Sequence, residues 1–222
     1  KTITAPFDGF GYYAVFQLRY TYNDIAGHPF ARDHLNLMLS RGIMNAKSSS
    51  TGEFGSYDNI TRGEFATMMV KILDLPLNYD IDRLTFDDVP PVDLSPLWDY
   101  RYIETAVREG IVMGRAPRLF VPAGPITREE AAVMIARAMN MKLGTQEKDL
   151  PRLQKMFTDS GSIDYYAIPA VTAVARAGII QGRPNTMTEG AKQTYRFDPN
   201  SYLSRAEAAI IAARMMDELG KL

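Results

Sequence analysis

Three arginines occupy positions that simple helix electrostatics disfavours. The stretches "ITRGEFATMMVKIL" (60–73), "GPITREEAAVMIARAM" (124–139) and "LSRAEAAIIAARMM" (203–216) share one pattern: Ser or Thr, Arg, any residue, Glu, then an apolar helical run. Thr61, Thr127 and Ser204 read as N-caps, with Glu64, Glu130 and Glu207 as their capping-box partners. Arg62, Arg128 and Arg205 therefore take the first helical position, at the positive end of the macrodipole, where a cation costs on the order of a few tenths of a kcal/mol. A lone exposed Arg there would simply solvate the helix start or pair with a nearby Asp. Three recurrences point instead to a receptor. A planar guanidinium fork beside unpaired backbone N–H groups suits a carboxylate or a phosphate. On this reading the bound anion makes the position favourable, and Arg128→Ala slightly stabilises the ligand-free protein while Thr127→Ala costs about 1 kcal/mol through its lost cap.

The elements that must position these arginines repeat with them, the Arg positions lying 66 and then 77 residues apart. Upstream of each motif runs an aromatic residue, an Asp, and a helical stretch closing on Gly-Ile: "YNDIAGHPFARDHLNLMLSRGIM" (22–44), "FDDVPPVDLSPLWDYRYIETAVREGIVMG" (86–114) and "FTDSGSIDYYAIPAVTAVARAGIIQG" (157–182). Tyr102, Ile103, Ala106 and Val107 fit one helical face, and Gly110, like Gly42 and Gly178, fits a left-handed cap after the helix. Each repeat reads as helix, Gly-capped turn, irregular loop and capping-box helix. Residues 76–84 and 143–154 read as polar linkers. Residues 1–20, with "GFGYYAVFQLRYTY", read as an extended segment left from a preceding domain or packed along the first repeat.

A chain of 222 residues with 46% hydrophobic content buries a real core, and 25 basic against 26 acidic residues give a formal charge of −1. No global basic field exists for nucleic acid or an anionic membrane, so anion recognition has to be local. Without Cys there is no disulfide, thiolate nucleophile or cysteine zinc site, and the longest apolar runs are far too short to span a bilayer. Enzyme signatures are missing: no Walker loop, Gly-x-Ser-x-Gly or His-Glu-x-x-His occurs, and His28 and His34 fall in one repeat. The acidic run at 80–88 lacks the Gly and terminal Glu of a calcium loop. No enzyme activity, cofactor or metal is expected.

The motif set of the second repeat (Phe86, Asp88, Val89, Trp98, Gly110, Ile111, Gly114, Phe120, Pro122, Ile126, Thr127, Arg128, Glu130) resembles the S-layer homology (SLH) domain, here in three copies. The third copy keeps Phe157, Asp159, Gly178, Gly182, Phe197, Pro199, Ser204, Arg205 and Glu207, has Tyr166 where Trp is usual, and inserts "RPNTMTEGAKQTYR" after Gly182. The first keeps Asp24, Gly42, Thr61, Arg62 and Glu64, with Phe30 for Trp, Ala46 for the second Gly, and "SYDN" in place of the Phe-x-Pro region.

The resemblance implies a mainly α fold: three tandem helix-loop-helix repeats (21–75, 86–142 and 155–217) in a pseudo-threefold spindle around a central helical bundle. It implies a non-covalent cell-wall anchor of the extracellular surface or S-layer of a Gram-positive-type bacterium, continuous with a passenger domain outside this sequence. The partner would be a secondary cell-wall polysaccharide bearing pyruvate ketals, commonly on N-acetylmannosamine, held in grooves between repeats, with no nucleic acid and no membrane insertion. Carried over, the carboxylate contact falls to Arg62, Arg128 and Arg205. Gly114 and Gly182 let a sugar approach or supply a positive φ, and Arg115 and Arg183 either belong to a solvated loop or line a groove. Trp98 and Tyr166 either stack on sugar or fill the core, and Asp24, Asp88 and Asp159 cap or brace a turn. Lys71, Arg137 and Arg214, nine residues after each motif Arg, lie half a turn away and suit the C-terminal dipole. Because Ala46 replaces a Gly in repeat one, Arg62 is expected in the weakest site and Arg128 in the strongest. The competing class is a helical-repeat module that docks another protein.

Overall fold

The computed structural model describes residues 22–47, 52–92, 95–187, 190 and 192–222; the expected N-terminal strand lies outside them. The fold is mainly α. Its helices are α1 (Asn23–Ala26), α2 (Arg32–Ser40), α3 (Arg62–Leu73), α4 (Tyr100–Arg108), α5 (Arg128–Ala138), α6 (Gln146–Met156), α7 (Ile168–Arg176) and α8 (Arg205–Glu218). One antiparallel pair, β1 (Arg183–Pro184) with β2 (Tyr195–Arg196), accompanies them.

Local chemistry sets the helix ends. Thr61, Thr127 and Ser204 each close a full capping box with the Glu three residues on. After α2, α4 and α7 the chain turns through Gly42, Gly110 and Gly178 at φ of 65°, 68° and 72°. The N–H groups of Ile43, Ile111 and Ile179 then reach back to the carbonyls of Met38, Ala106 and Val174 at 2.9, 2.8 and 3.0 Å, the Schellman arrangement in all three.

Packing is cyclic rather than repeat by repeat. Helix α4 of the second repeat lies on α3 of the first, α7 of the third on α5 of the second, and α2 of the first on α8 of the third. The capping-box helices α3, α5 and α8 are buried almost all round, whereas α2 and α4 bury only a stripe such as Leu35 and Met38, or Ile103 and Ala106.

At the helix entrances a ring of backbone hydrogen bonds ties the repeats together. Ile60 N–H donates to Leu203 O at 2.9 Å, Leu203 N–H to Ile126 O at 3.2 Å, and Ile126 N–H to Ile60 O at 3.2 Å. All three side chains are fully buried in one continuous hydrophobic core. Helices of nine to fourteen residues are marginal alone, so this association supplies their stability.

The stretch 143–154 is not a linker. Residues 146–156 form α6, with Pro151 inside it, packed on α7 through buried Leu153 and partly buried Leu150 and Met156. Those three apolar residues recur every third position, a helical face that the surrounding polarity and the proline hide from a composition reading.

Candidate binding grooves between the repeats

Each motif arginine reaches into the next repeat. Arg62 donates from Nε to Phe120 O (3.1 Å), from Nη2 to Met113 O (3.1 Å) and from Nη1 to Glu130 (3.1 Å). Arg128 donates from Nε to Phe197 O (2.7 Å) and from Nη2 to Gln181 O (2.9 Å), with Glu207 at 3.7 Å. Arg205 closes the cycle onto Glu64 and the carbonyl of Asn45. The three guanidiniums lie over the rings of Phe120, Phe197 and Phe54 at 4.9, 5.3 and 4.4 Å. All three arginines are buried, at most 4% exposed.

Two expectations fall here. The helix N-terminal N–H groups are not free to receive an anion: those of Arg62 and Gly63 donate to Gly124 O and Pro122 O, those of Arg128 and Glu129 to Ser201 O and Pro199 O, and those of Arg205 and Ala206 to Asp58 O and Ser56 O. Nor is Arg128 a cation stranded at a positive helix end. Its charge is met by carbonyls and by the neighbouring Glu, so its removal orphans the buried Phe197 carbonyl instead of relieving repulsion. Burial first, and then the nearby Arg183, push the Arg128 guanidinium down to about 10, against the pull of Glu207; it stays charged at neutral pH.

Two grooves form where these arginines emerge. The first, about 350 Å³, is lined by Arg62, Gly114, Arg115, Glu130, Arg137 and Tyr166 among others. The second, about 200 Å³, carries Arg128, Gly182, Arg183, Glu207, Arg214 and Phe30. In each, two guanidiniums meet one carboxylate and a third lines the same groove, beside an exposed aromatic ring, Tyr166 at 56% and Phe30 at 60% exposure. Arg115 forks Glu130 at 3.1 and 2.9 Å, and Arg183 pairs with Glu207 and with Asp198. Burial works to raise the Glu207 carboxyl, yet hydrogen bonds from the Ser204 N–H and Arg183 and the charges of Arg183 and Arg128 bring it below the usual range; Arg115, the Thr127 N–H and Arg62 do the same for Glu130.

Arg137 and Arg214 correct the half-turn argument. They share a groove not with the Arg of their own helix but with the Arg of the preceding repeat, so intrahelical phase did not apply.

The third position differs. Arg205 lies beneath it and is not among the residues lining the cavity there, which is walled by Asn45, Thr67, Lys71, Trp98 and Asp99 among others. Asn45 donates to Pro96 O at 3.1 Å, and Trp98, only 7% exposed, packs on Gly63. Lys47, which follows Ala46 as Arg115 follows Gly114, turns outward to Asp58 at 2.7 Å. Ala46 therefore belongs beside Arg205, whose fork holds the carbonyl of Asn45, and not beside Arg62 as expected.

Gly114 and Gly182 line the grooves, and the three aspartates brace turns. Gly114 and Gly182 do not adopt positive φ; a Cβ on Gly114 would meet Ala116 O at 2.7 Å and Leu119 O at 2.8 Å, and one on Gly182 would meet the Phe157 ring at 2.6 Å. Asp24, Asp88 and Asp159 cap no helix of their own. Asp88 accepts from the N–H groups of Phe120 and Val121 at 2.9 and 2.6 Å, Asp159 from those of Phe197 and Asp198, and Asp24 from those of Phe54, Gly55 and Ser56. Phe54-Gly55-Ser56 is thus the first repeat's counterpart of Phe120-Val121-Pro122. The expected replacement, "SYDN" (56–59), starts two residues too late; Phe54, the lone Phe upstream of the Thr61 cap, marks the place.

The family model for the S-layer homology domain matches residues 21–66, 85–132 and 157–209. The chain is 29% identical over 221 residues to an amylopullulanase of Thermoanaerobacterium thermosulfurigenes, covering 100% of this chain and 11% of that protein. It is 29% identical over 202 residues to an exoglucanase of Acetivibrio thermocellus (91% and 17%) and 29% over 196 residues to an S-layer protein of Bacillus anthracis (88% and 20%). It thus spans a fifth or less of the length of these relatives. With three family matches over more than half its length, in the cyclic arrangement that its capping boxes build, the chain belongs to the S-layer homology domain family.

Proposed function

We propose that this chain is a non-catalytic anchoring module that holds a larger surface protein on the bacterial cell wall by binding an acidic wall polysaccharide. The observation that carries the reading is the pair of open grooves, each lined by three arginines, one glutamate and an exposed aromatic, in a chain of net charge −1. Such a groove takes an anionic sugar: the cations fork the carboxylate and the ring face stacks on Tyr166 or Phe30. The ligand is a pyruvate-ketal sugar, N-acetylmannosamine its bearer. Arg62 and Arg128 have spent three and two of their five N–H donors on protein acceptors, so each retains donors at the groove edge. Arg115, Arg137, Arg183 and Arg214 supply the accessible charge. The third position, whose cavity Arg205 does not line and whose Trp98 is buried, contributes least. The module acts outside the cell of a Gram-positive-type bacterium; no helix among the described residues is long and apolar enough to cross a membrane.

The test is co-sedimentation with purified wall sacculi before and after acid extraction of the pyruvylated polymer, with titration of a pyruvylated N-acetylmannosamine glycoside. Binding is expected to vanish on extraction. Arg137→Ala and Arg214→Ala, one per groove, are expected to weaken sugar binding several-fold with unchanged melting. Sedimentation that survives extraction would instead favour protein docking and sink this reading.

A further inference from the structure

A separate cavity of about 730 Å³ lies within the third repeat, larger than either groove. It is made by the features that set this repeat apart: the end of α6, and the return arm of the insertion after Gly182 that carries β2. Phe157 and Tyr195 give it an apolar side; Thr158, Gln193 and Thr194 give hydroxyl and amide groups. The Gln193 amide is fixed, its Nε2 donating to Asn185 O at 2.9 Å and Thr194 O at 2.7 Å, which leaves its carbonyl oxygen to accept.

Two lysines, Lys155 and Lys192, line this cavity, and among the described residues no acidic side chain does. Among the described residues neither makes an ion pair. A concavity with two ammoniums that make no ion pair among the described residues, an aromatic wall and fixed amide and hydroxyl groups has the donor set of an acidic saccharide; a small inorganic anion would leave the ring and amide side unused. The cavity also shares Ile180, Gln181 and Gly182 with the second groove. That common wall is at most about 10 Å long, short enough for neighbouring units of one chain to lie on its two sides. It is held in place by Arg128, which binds the Gln181 carbonyl.

We propose that this cavity is a second saccharide subsite, which takes an adjoining acidic unit of the polymer whose ketal-bearing unit sits in the Arg128 groove. The proposal rests on the anchoring reading for the identity of the polymer, but on its own residues for the site. The insertion then makes the second groove read a longer stretch of chain than the first. Lys155 and Lys192 set the charge preference, and Tyr195 stacks.

The experiment is a backbone N–H chemical-shift titration of the full chain with two probes: the pyruvylated monosaccharide, and an acid-released wall oligosaccharide with at least two acidic units. Movement of Thr158, Gln193, Thr194 and Tyr195 with the oligosaccharide is expected, together with about tenfold weaker oligosaccharide affinity in the exposed Lys155→Ala/Lys192→Ala double variant, at unchanged melting and unchanged monosaccharide affinity. The Arg/Arg double variant is expected to restore most of the loss. Cavity signals that stay still while groove signals move would overturn the subsite and leave the anchor reading intact. Cavity signals that move with Gly114 and Arg115 unmoved would support the subsite and count against the first groove. Stillness in both would overturn both.

Discussion

Arg128→Ala separates a latch from a stranded cation. The substitution removes the two donors that satisfy Phe197 O at 2.7 Å and Gln181 O at 2.9 Å, in a site where Arg128 is 3% exposed. An orphaned buried acceptor costs about 1–3 kcal/mol, and the ring of Phe197 loses its cation. Glu207 keeps Arg183, so the larger penalty of a bare buried carboxylate is not added. Only the Phe197 carbonyl is a buried acceptor, Gln181 being exposed, so the expected loss is about 2–3 kcal/mol, or roughly 4–12 °C in Tm for a chain of this size. Arg128→Lys is expected to fall between, because one ammonium cannot span both carbonyls. Urea and thermal unfolding of the ligand-free protein provide the assay. If Arg128→Ala lost less than about 1 kcal/mol, or gained stability as helix-end electrostatics alone would have it, the latch argument would be wrong.

Gly114→Ala is expected to cost about 1–3 kcal/mol, since its Cβ meets backbone oxygens that cannot swing away; calorimetry should find Ala46→Gly nearly neutral by comparison. Asp88→Ala leaves the N–H groups of Phe120 and Val121 without their acceptor and should cost about 2–3 kcal/mol in urea unfolding, with Asp88→Asn recovering part of it. The carboxyls of Glu130 and Glu207 lie below their ordinary value of 4.5 in the folded state. As pH falls the unfolded chain therefore takes up protons first, so their stabilisation is complete above the unfolded value and is lost as pH falls below it. Glu207→Gln is expected to flatten that acid slope, and an unchanged slope in a pH series of melts would count against the Arg183–Glu207 pairing.

Local sequence determined much of this protein by itself. The capping boxes at Thr61, Thr127 and Ser204 and the glycine turns at 42, 110 and 178 involve residues within six positions of each other, so chain-local hydrogen bonding is enough to specify them. The repeat itself was legible for the same reason. What Arg62, Arg128 and Arg205 touch was not. Their backbone acceptors lie 51 to 69 residues onward for the first two, and 160 residues back for the third. Their identity as carbonyls carries no sequence signature, because every residue has one. Only the cyclic docking of each repeat on its neighbour decided that Arg137 shares a groove with Arg62, that Ala46 sits beside Arg205, and that Trp98 is buried at the third position while Tyr166 and Phe30 stay exposed. Side-chain periodicity fixes which residues share a helix face, whereas a groove between repeats is set by the packing angle and order of helices that are distant in the chain.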